Sequence, residues 1–401
     1  HGTRIGLTIC EDIWFDEPIA LAAGAGAQLI LNLNASPFSQ QKHEIRAQLI
    51  RRHAQQHQLP IVYVNQFGGQ DELVFDGGSF AMDRHGELIL QMSHFQSSMG
   101  LVQFERGQLS SESESAVPTS DLQTLYQALV TGVRDYVNKN KFPGVILGLS
   151  GGIDSALTLA IAVDALGPER VKAVMMPFTY TSDMSKEDAA MQAEVMGVRY
   201  ETISIEPMYR AFMSALSPQF EGRSVDTTEE NLQARCRGVI LMAMSNKLGD
   251  MVITTGNKSE MAVGYATLYG DMVGGYSALK DIYKMKVFAL SEYRNSISPV
   301  IPQRVIDRPP SAELAPDQKD EDSLPPYPVL DDILERYIEH DESAEQIIAA
   351  GHARDAVLRV LRLVDINEYK RRQAPIGVRV TARGFGRDRR YPVTNGWKAG
   401  I

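Results

Sequence analysis

The sequence predicts an α/β protein of two successive strand and helix units, the second a doubly wound parallel sheet. Three observations carry this. Short apolar runs alternate with amphipathic stretches on both sides of a serine- and acid-rich segment between Arg106 and Asp121. One run, Val145 to Leu149, is apolar apart from a glycine, as a strand buried on both faces must be. After it comes Ser150-Gly151-Gly152-Ile153-Asp154-Ser155, which fills the turn into an apolar helix, Ala156 to Leu166, closed by Gly167-Pro168. A doubly wound sheet presents its ligand site at such a turn.

Composition sets the outer bounds. A chain of 401 residues has room for two or three domains, and 44% hydrophobic against 22% charged residues is the balance of a soluble globular protein. A net charge of -10 excludes non-specific nucleic-acid binding, while leaving a local basic groove open. No stretch reaches the roughly 18 uninterrupted apolar residues of a membrane span, and the start shows no basic-then-apolar signal, so no membrane is expected and the cytoplasm is the default. Cys10 and Cys236 lie far apart in unlike contexts, which fits a reducing compartment. The chain opens on His1-Gly2 and runs at once into a strand, so further sequence is expected upstream.

Residues 1–112 read as a first α/β segment. Ile5 to Ile9 is a strand that stops at Cys10-Glu11-Asp12. A helix over Glu17–Ala25, a strand over Gln28–Leu33 and a loop, Asn34 to Phe38, follow. Lys42 to His57 has helical apolar spacing, and Pro60 to Val64 is a strand. Gly78–Met82 and Glu87–Leu90, joined by Asp83-Arg84-His85-Gly86, form a hairpin. The polar run that follows is a linker, with 113–120 separating the two units.

From Asp121 the alternation resumes. An amphipathic helix leads into the Val145 strand. Val171–Met175 is a strand; a helix over Ser185–Met196, capped by Ser185 with Asp188 three residues on, ends at Gly197; Tyr200–Ile205 is a strand. A long helix from about Thr228 to Leu248 stops at Gly249 before the strand Met251–Thr255. Right-handed crossovers then place helices on both faces of a parallel sheet.

The hexapeptide carries the chemistry. Its glycines let the backbone turn tightly and approach a ligand, and the new helix directs unpaired N–H groups and a positive dipole outward, which suits phosphate. Ser150 and Ser155 add hydroxyls. Asp154 fits beside phosphate only with a divalent cation between them, which implies magnesium. Gly-Gly followed by Asp-Ser also makes an ordinary turn and cap; the buried strand before and the helix after favour the nucleotide reading. The motif lacks the Gly-Lys-Ser/Thr of a Walker loop.

Other stretches leave their readings open. Asn231 and Arg235 share one face of the long helix, with Arg237 on another, and the arginines are either a solvated face or phosphate clamps. Cys236 reads as core. In Thr254-Thr255-Gly256-Asn257-Lys258-Ser259-Glu260, Glu260 is an N-terminal charge partner or a second metal ligand. Tyr265 and Asp271 sit in an aromatic-rich loop, and Lys284 either snorkels or binds phosphate. The proline- and acid-rich stretch 307–328 is a lid or a surface linker. A lone cysteine such as Cys10 is ordinarily a small buried hydrophobe.

Resemblance narrows these choices. SGGIDS resembles the pyrophosphate loop of ATP pyrophosphatases, and SGGIDS, NLQARCR, TGNKSE, GYATLYGD and IYKMKV, in that order, resemble the NAD synthetase family over about residues 120–401. Gly6 to Phe15 around Cys10, with Ser36 further on, resembles a nitrilase-type glutamine amidase, so the whole is similar to the glutamine-dependent branch. The resemblance implies an adenine nucleotide alpha hydrolase-like sheet preceded by part of an α-β-β-α nitrilase-like domain. It implies that Ser150, Gly151, Gly152, Asp154, Ser155, Thr255 and Lys284 hold ATP, that Asp154 and Glu260 bind Mg2+, and that Asn231, Arg235, Tyr265 and Asp271 meet deamido-NAD. Cys10 would be the amidase nucleophile and Ser36 a glutamine contact. The family's base and oxyanion lysine lie upstream of the cysteine, so a chain beginning at His1 is expected to use free ammonia. Some ammonia-using relatives carry a basic residue at the position of Met175. The family also implies a homo-oligomer.

Deamido-NAD, ATP and glutamine or ammonia are thus the expected partners. A GMP synthetase-like enzyme should lack the Asn231 and Gly264 stretches, and a tRNA-modifying ligase should carry a basic patch that this acidic chain does not show. A nucleotide-binding module without turnover is the third alternative.

Overall fold

The computed structural model describes residues 2–315, 318 and 320–397, and the chain divides into two compact units at Gly132/Val133, within the helix Asp121–Lys139.

In the first unit, Ile5–Ile9, Leu29–Asn34 and Ile61–Asn65 pair in parallel, and Phe80–Met82 and Leu88–Gln91 extend the sheet antiparallel. One face packs the helices Asp16–Gly24 and Lys42–His57 over a core that includes Ile19, Ile30, Ile50 and Tyr63. Between the first strand and helix, Cys10–Trp14 makes a 3-10 turn, with Cys10 at φ 50.

Two hairpins depart from the sequence expectation. Phe67–Gln70 pairs with Leu73–Asp76. Gln103–Glu105 pairs with Gln108–Ser110 across Arg106-Gly107, so the polar run taken for linker begins with a strand. Both turn residues are left-handed, φ 51 and 80, the geometry that favours a two-residue hairpin turn. Three-residue strands with a single inward side chain, such as Leu109, are too short to give a periodic signal.

The second unit holds a wholly parallel sheet in the order Arg199–Thr202, Val171–Met175, Val145–Gly148, Met251–Thr254, Tyr276–Ser277. Chain order along the sheet reverses at Val145–Gly148, the topological switch point, so the hexapeptide leaves the sheet where a crevice opens. The motif helix, Ile153–Leu166, is buried along most of its length. The long helix runs Thr227–Leu248, started by a capping box between Asp226 and Glu229 and ended by left-handed Gly249.

The helix expected to begin at Ser185 in fact runs Asp183–Val195 and is capped by Ser182, whose hydroxyl accepts from the Ser185 amide. Ser185 is buried one turn inside. Both serines offer a hydroxyl three residues before a helical position, and the earlier one wins because Asp183 favours the first turn. A further helix, Glu206–Leu216, follows the edge strand Arg199–Thr202.

Four helices close the chain: Tyr327–Ile338, Ala344–Ala349, Arg354–Ile366 and Glu368–Arg371. The apolar faces of the first three form a second core with Ala262, Val263 and Tyr283. Beneath it lies a fully buried lysine. Lys258 Nζ is 2.8 Å from Asp281, 2.9 Å from Glu339 and 2.7 Å from the Thr381 hydroxyl, so it ties the turn after Met251–Thr254 to the C-terminal segment. Among the described residues, no helix is long and apolar enough to cross a membrane.

Removing the ammonium would strand two acids in the interior. Lys258→Met is therefore expected to cost about 3–5 kcal/mol, seen as a lower denaturant midpoint for this unit, whereas Lys186→Met on the exposed pair with Asp183 should change it little.

Candidate active site

Gly151 makes the turn possible. It sits at φ 81, and a Cβ there would lie 2.3 Å from the Ser185 carbonyl oxygen. Only glycine lets the two segments approach so closely. The loop is then braced by its own hydroxyls: Ser155 Oγ donates to Gly152 O at 2.9 Å and accepts from Ser150 N at 3.2 Å. Gly152 is the N-cap of the motif helix and supplies no side-chain cap, so the helix presents open amides to the crevice.

That crevice is a cavity of about 330 Å³. Of the residues singled out from the sequence, Ser150, Gly152, Asp154, Ser155, Thr255, Glu260, Tyr265, Asp271 and Lys284 line it. Met175 does too, where its buried thioether packs at a strand end.

At its base Lys284 Nζ lies 2.5 Å from Asp154 Oδ2 and 3.0 Å from Glu260 Oε1. Burial acts to lower the lysine's pKa, but the two carboxylates overcome it and the net shift is upward. Burial pushes the Glu260 carboxyl upward, with Asp154 and Asp320 adding to the rise and Lys284 opposing it. Asn257 connects the pieces: its Oδ1 caps the helix Lys258–Val263 by accepting from Glu260 N at 3.0 Å, and its Nδ2 donates to Asp154 Oδ1 at 2.8 Å.

The other wall comes from the long helix. Ala234, Arg237, Gly238 and Leu241 face the cavity, whereas Asn231 and Arg235 stand beside it and hold the loop Gly264 to Asp271. Thr267 Oγ1 donates to Asn231 at 2.9 Å, Arg235 donates to Leu268 O at 3.2 Å, and Asp271 accepts from Thr267 N at 2.9 Å. Burial lifts the Asp271 carboxyl to about 6 against that bond and the charges of Lys370 and Arg237. The sequence reading set Arg237 apart. It is the arginine that reaches the cavity, because its position shares the inward ridge with Ala234 and Gly238. Its side chain donates to Met176 O, and desolvation lowers its pKa to about 10.

The stretch 307–328 also borders the cavity in its described part. Arg308 donates to the Gly151 carbonyl, and Glu313 accepts from the hydroxyls of Ser182 at 2.9 Å and Ser185 at 2.8 Å. Asp320, buried, accepts from the Tyr327 hydroxyl at 2.8 Å and bears on Glu260 and Tyr265. Sequence reasoning did not single out Asn257, Arg308, Glu313 or Asp320. Only Asn257 carried a local signal, as a cap residue three before a glutamate.

In the first unit, Ser36 lies in a buried network. Arg46 donates to Ser36 Oγ at 3.2 Å and to Asp76 at 2.8 Å, and Asn65 Oδ1 accepts from Ser36 N at 2.9 Å. Cys10 is partly exposed, and its left-handed backbone is a conformation that non-glycine residues seldom adopt away from functional turns.

Comparison with known proteins decides what this crevice belongs to. The NAD synthase family model matches residues 125–374, and the carbon-nitrogen hydrolase model matches residues 1–111. The glutamine-dependent NAD(+) synthetase of Acinetobacter baylyi is 52% identical over 99% of this chain and 74% of its own. The chain belongs to the glutamine-dependent NAD(+) synthetase family. The solved structure of such a synthetase from Acinetobacter baumannii, in complex with adenosine diphosphate, covers all of this chain, with 74% of its own length matched, at 51% identity and a TM-score of 0.75. The NMN synthetase of Francisella tularensis aligns with 63% of this chain and 96% of its own at 28% identity and a TM-score of 0.54. Family membership accounts for the pairing of a nitrilase-like segment with a parallel-sheet synthetase in one chain.

Asn257→Ala removes a hydrogen bond to a carboxylate and a helix cap together. A charge-assisted bond of this kind is worth about 1.5–3 kcal/mol, so pyrophosphate release should slow by roughly 10- to 100-fold, and Asn257→Asp, which keeps the cap, should not restore it.

Proposed function

We propose that the cavity at the end of Val145–Gly148 carries out the final step of NAD biosynthesis, the ATP-dependent amidation of deamido-NAD, with residues 1–112 as the glutamine amidase segment, 113–120 as linker and 121–401 as the synthetase. The observation that carries the reading is the placement of the Gly151 turn, Asp154, Glu260 and Lys284 around one cavity at the switch point. The nicotinate carboxylate attacks the α-phosphorus of ATP, the bond to the β-phosphate oxygen breaks, and pyrophosphate leaves. Ammonia then attacks the adenylated carbonyl, loses a proton and displaces AMP.

The chain's residues divide this work. The amides of Gly152 and the following turn, with Ser150, Ser155 and Thr255, take the triphosphate, and Lys284 offsets the charge that builds on pyrophosphate. Tyr265, Asp271, Asn231 and Arg235 position deamido-NAD, and Arg237 adds a cation from the same helix. The stretch Arg308 to Leu314 covers the cavity and keeps water from the acyl-adenylate. Asp154 and Glu260 suit magnesium: with Asp320 they set three acidic side chains against one ammonium under a phosphate loop, and a cation there would favour the charged form of Glu260 that burial disfavours. When bound, the ion supplies charge neutralisation for the triphosphate. In the amidase segment Cys10 is the nucleophile and Ser36 borders the glutamine. A cytoplasmic homo-oligomer completes the proposal.

Incubation with ATP, magnesium, ammonium and deamido-NAD should yield NAD, AMP and pyrophosphate in equal amounts, with much less amidation of the nicotinate mononucleotide. Failure to form NAD, or a preference for the mononucleotide, overturns the assignment. Asp154→Asn should lower turnover by about 100- to 1,000-fold, the scale of losing one preorganised charge contact, with the fold intact by circular dichroism. Arg235→Ala should raise the Michaelis constant for deamido-NAD about tenfold or more while leaving that for ATP within about twofold, since one charge-assisted bond is at stake; equal effects on both would mark a structural arginine.

A further inference from the structure

Away from the cavity, three side chains of the first unit form a cluster that the reaction does not use. His53 and His57 stand one turn apart on the helix Lys42–His57, and Asp16 opens the helix Asp16–Gly24. One ligand atom from each lies within 4.8 Å of the others. His57 Nε2 is 2.9 Å from Asp16 Oδ1, and His53 Nδ1 is 3.6 Å from the same oxygen.

The protonation pattern is fixed from outside. His53 Nε2 lies 2.9 Å from the Ile13 carbonyl, an oxygen that only accepts, so Nε2 carries the ring hydrogen and Nδ1 carries a lone pair. His53 is fully buried, and Nδ1 has no hydrogen-bond partner. The buried Nδ1 is therefore an acceptor without a partner, 3.6 Å from a half-exposed carboxylate oxygen that His57 engages from the other side. An orphaned buried acceptor is costly unless a donor or a cation joins it.

We propose that Asp16, His53 and His57 bind a borderline divalent transition-metal ion of the zinc or cobalt class. Imidazole nitrogens at helical i, i+4 spacing with one carboxylate match the preferences of these ions, and magnesium or calcium would favour oxygen donors. Bonds of about 2.1 Å in a tetrahedral site put neighbouring ligand atoms about 3.4 Å apart; the observed 2.9 and 3.6 Å bracket that spacing. The Ile13 carbonyl is the outer partner that orients a metal-bound histidine. Asp16 is about half exposed, so solvent fills the remaining positions. Arg52 is the cation that bears on Asp16 and His53, and it forms no ion pair with either. The neighbouring cluster of His43, Asp76 and His94 lacks this vacancy of charge, because Arg46 already pairs with Asp76 at 2.8 Å. A bound ion would clip the two helices together and, through Ile13, steady the turn that begins at Cys10.

The test is a titration of chelator-stripped, untagged protein with Co2+, read by visible d–d absorption, and with Zn2+, read by thermal melting. Binding of one Co2+ per chain with a nitrogen-ligated spectrum is expected, together with a rise in melting temperature on adding Zn2+. His57→Gln and Asp16→Asn alter partly exposed side chains and leave the His53 core packing in place. Each should weaken cobalt affinity about tenfold or more, since losing even an outer partner of a ligand costs about 10- to 100-fold, and the double variant should lose the absorption and the melting shift. Cobalt held by Asp154 and Glu260 would persist in the double variant and is thereby separated. No binding to the unaltered protein at millimolar Co2+, or the same spectrum and affinity in the double variant, overturns the proposal.

Discussion

Everything in the synthetase cavity depends on one buried ammonium placed between two acids. Lys284 starts the helix Lys284–Ile297, Asp154 lies in the first turn of the motif helix, and Glu260 in the first turn of another; these three helix starts converge because their preceding chain segments end at the same edge of the sheet. Without the lysine, Asp154, Glu260 and Asp320 would repel one another in a poorly solvated space. With it, they are held close but undercompensated. The same physics gives Lys258 a different outcome. Its partners Asp281, Glu339 and Thr381, and its full burial, leave no room for a ligand, so one lysine organises chemistry and the other organises the fold.

The sheet and its central motif were legible because their signals are local. A continuous apolar run, a glycine pair and an apolar helix occupy 22 consecutive positions, Val145 to Leu166, and Gly249 marks the end of the long helix through a left-handed φ that glycine adopts without strain. The box between Asp226 and Glu229 that starts this helix was not read from the sequence, although its spacing fits one. The hairpins at Phe67–Asp76 and Gln103–Ser110 were not legible, since strands of three or four residues are too short to show a period. Nor was the cap at Ser182, where two serines offered the same pattern.

The site itself was only half legible, for a geometric reason. Residues on the motif declare themselves by spacing, but Arg308 meets Gly151 across 157 positions and Glu313 meets Ser182 across 131. Nothing local distinguishes those side chains from solvated charges. The converse case is the long helix: Asn231 and Arg235 share a face, as their spacing requires, yet which face turns inward is set by the small residues Ala234 and Gly238, the loop carbonyls of Tyr269 and Gly270 lying within about 3 Å of where a Cβ on Gly238 would stand. Small residues, not charged ones, choose the orientation.

The backbone at Cys10 has a further implication. A cysteine held at φ 50 sits where side chains are disfavoured, and glycine would occupy that position at lower conformational cost. Screens that reward only thermostability would therefore tend to replace the residue assigned here as nucleophile. A chain improved in that way would gain stability by giving up the thiol itself, so the backbone and the side chain pull in opposite directions at a single peptide unit.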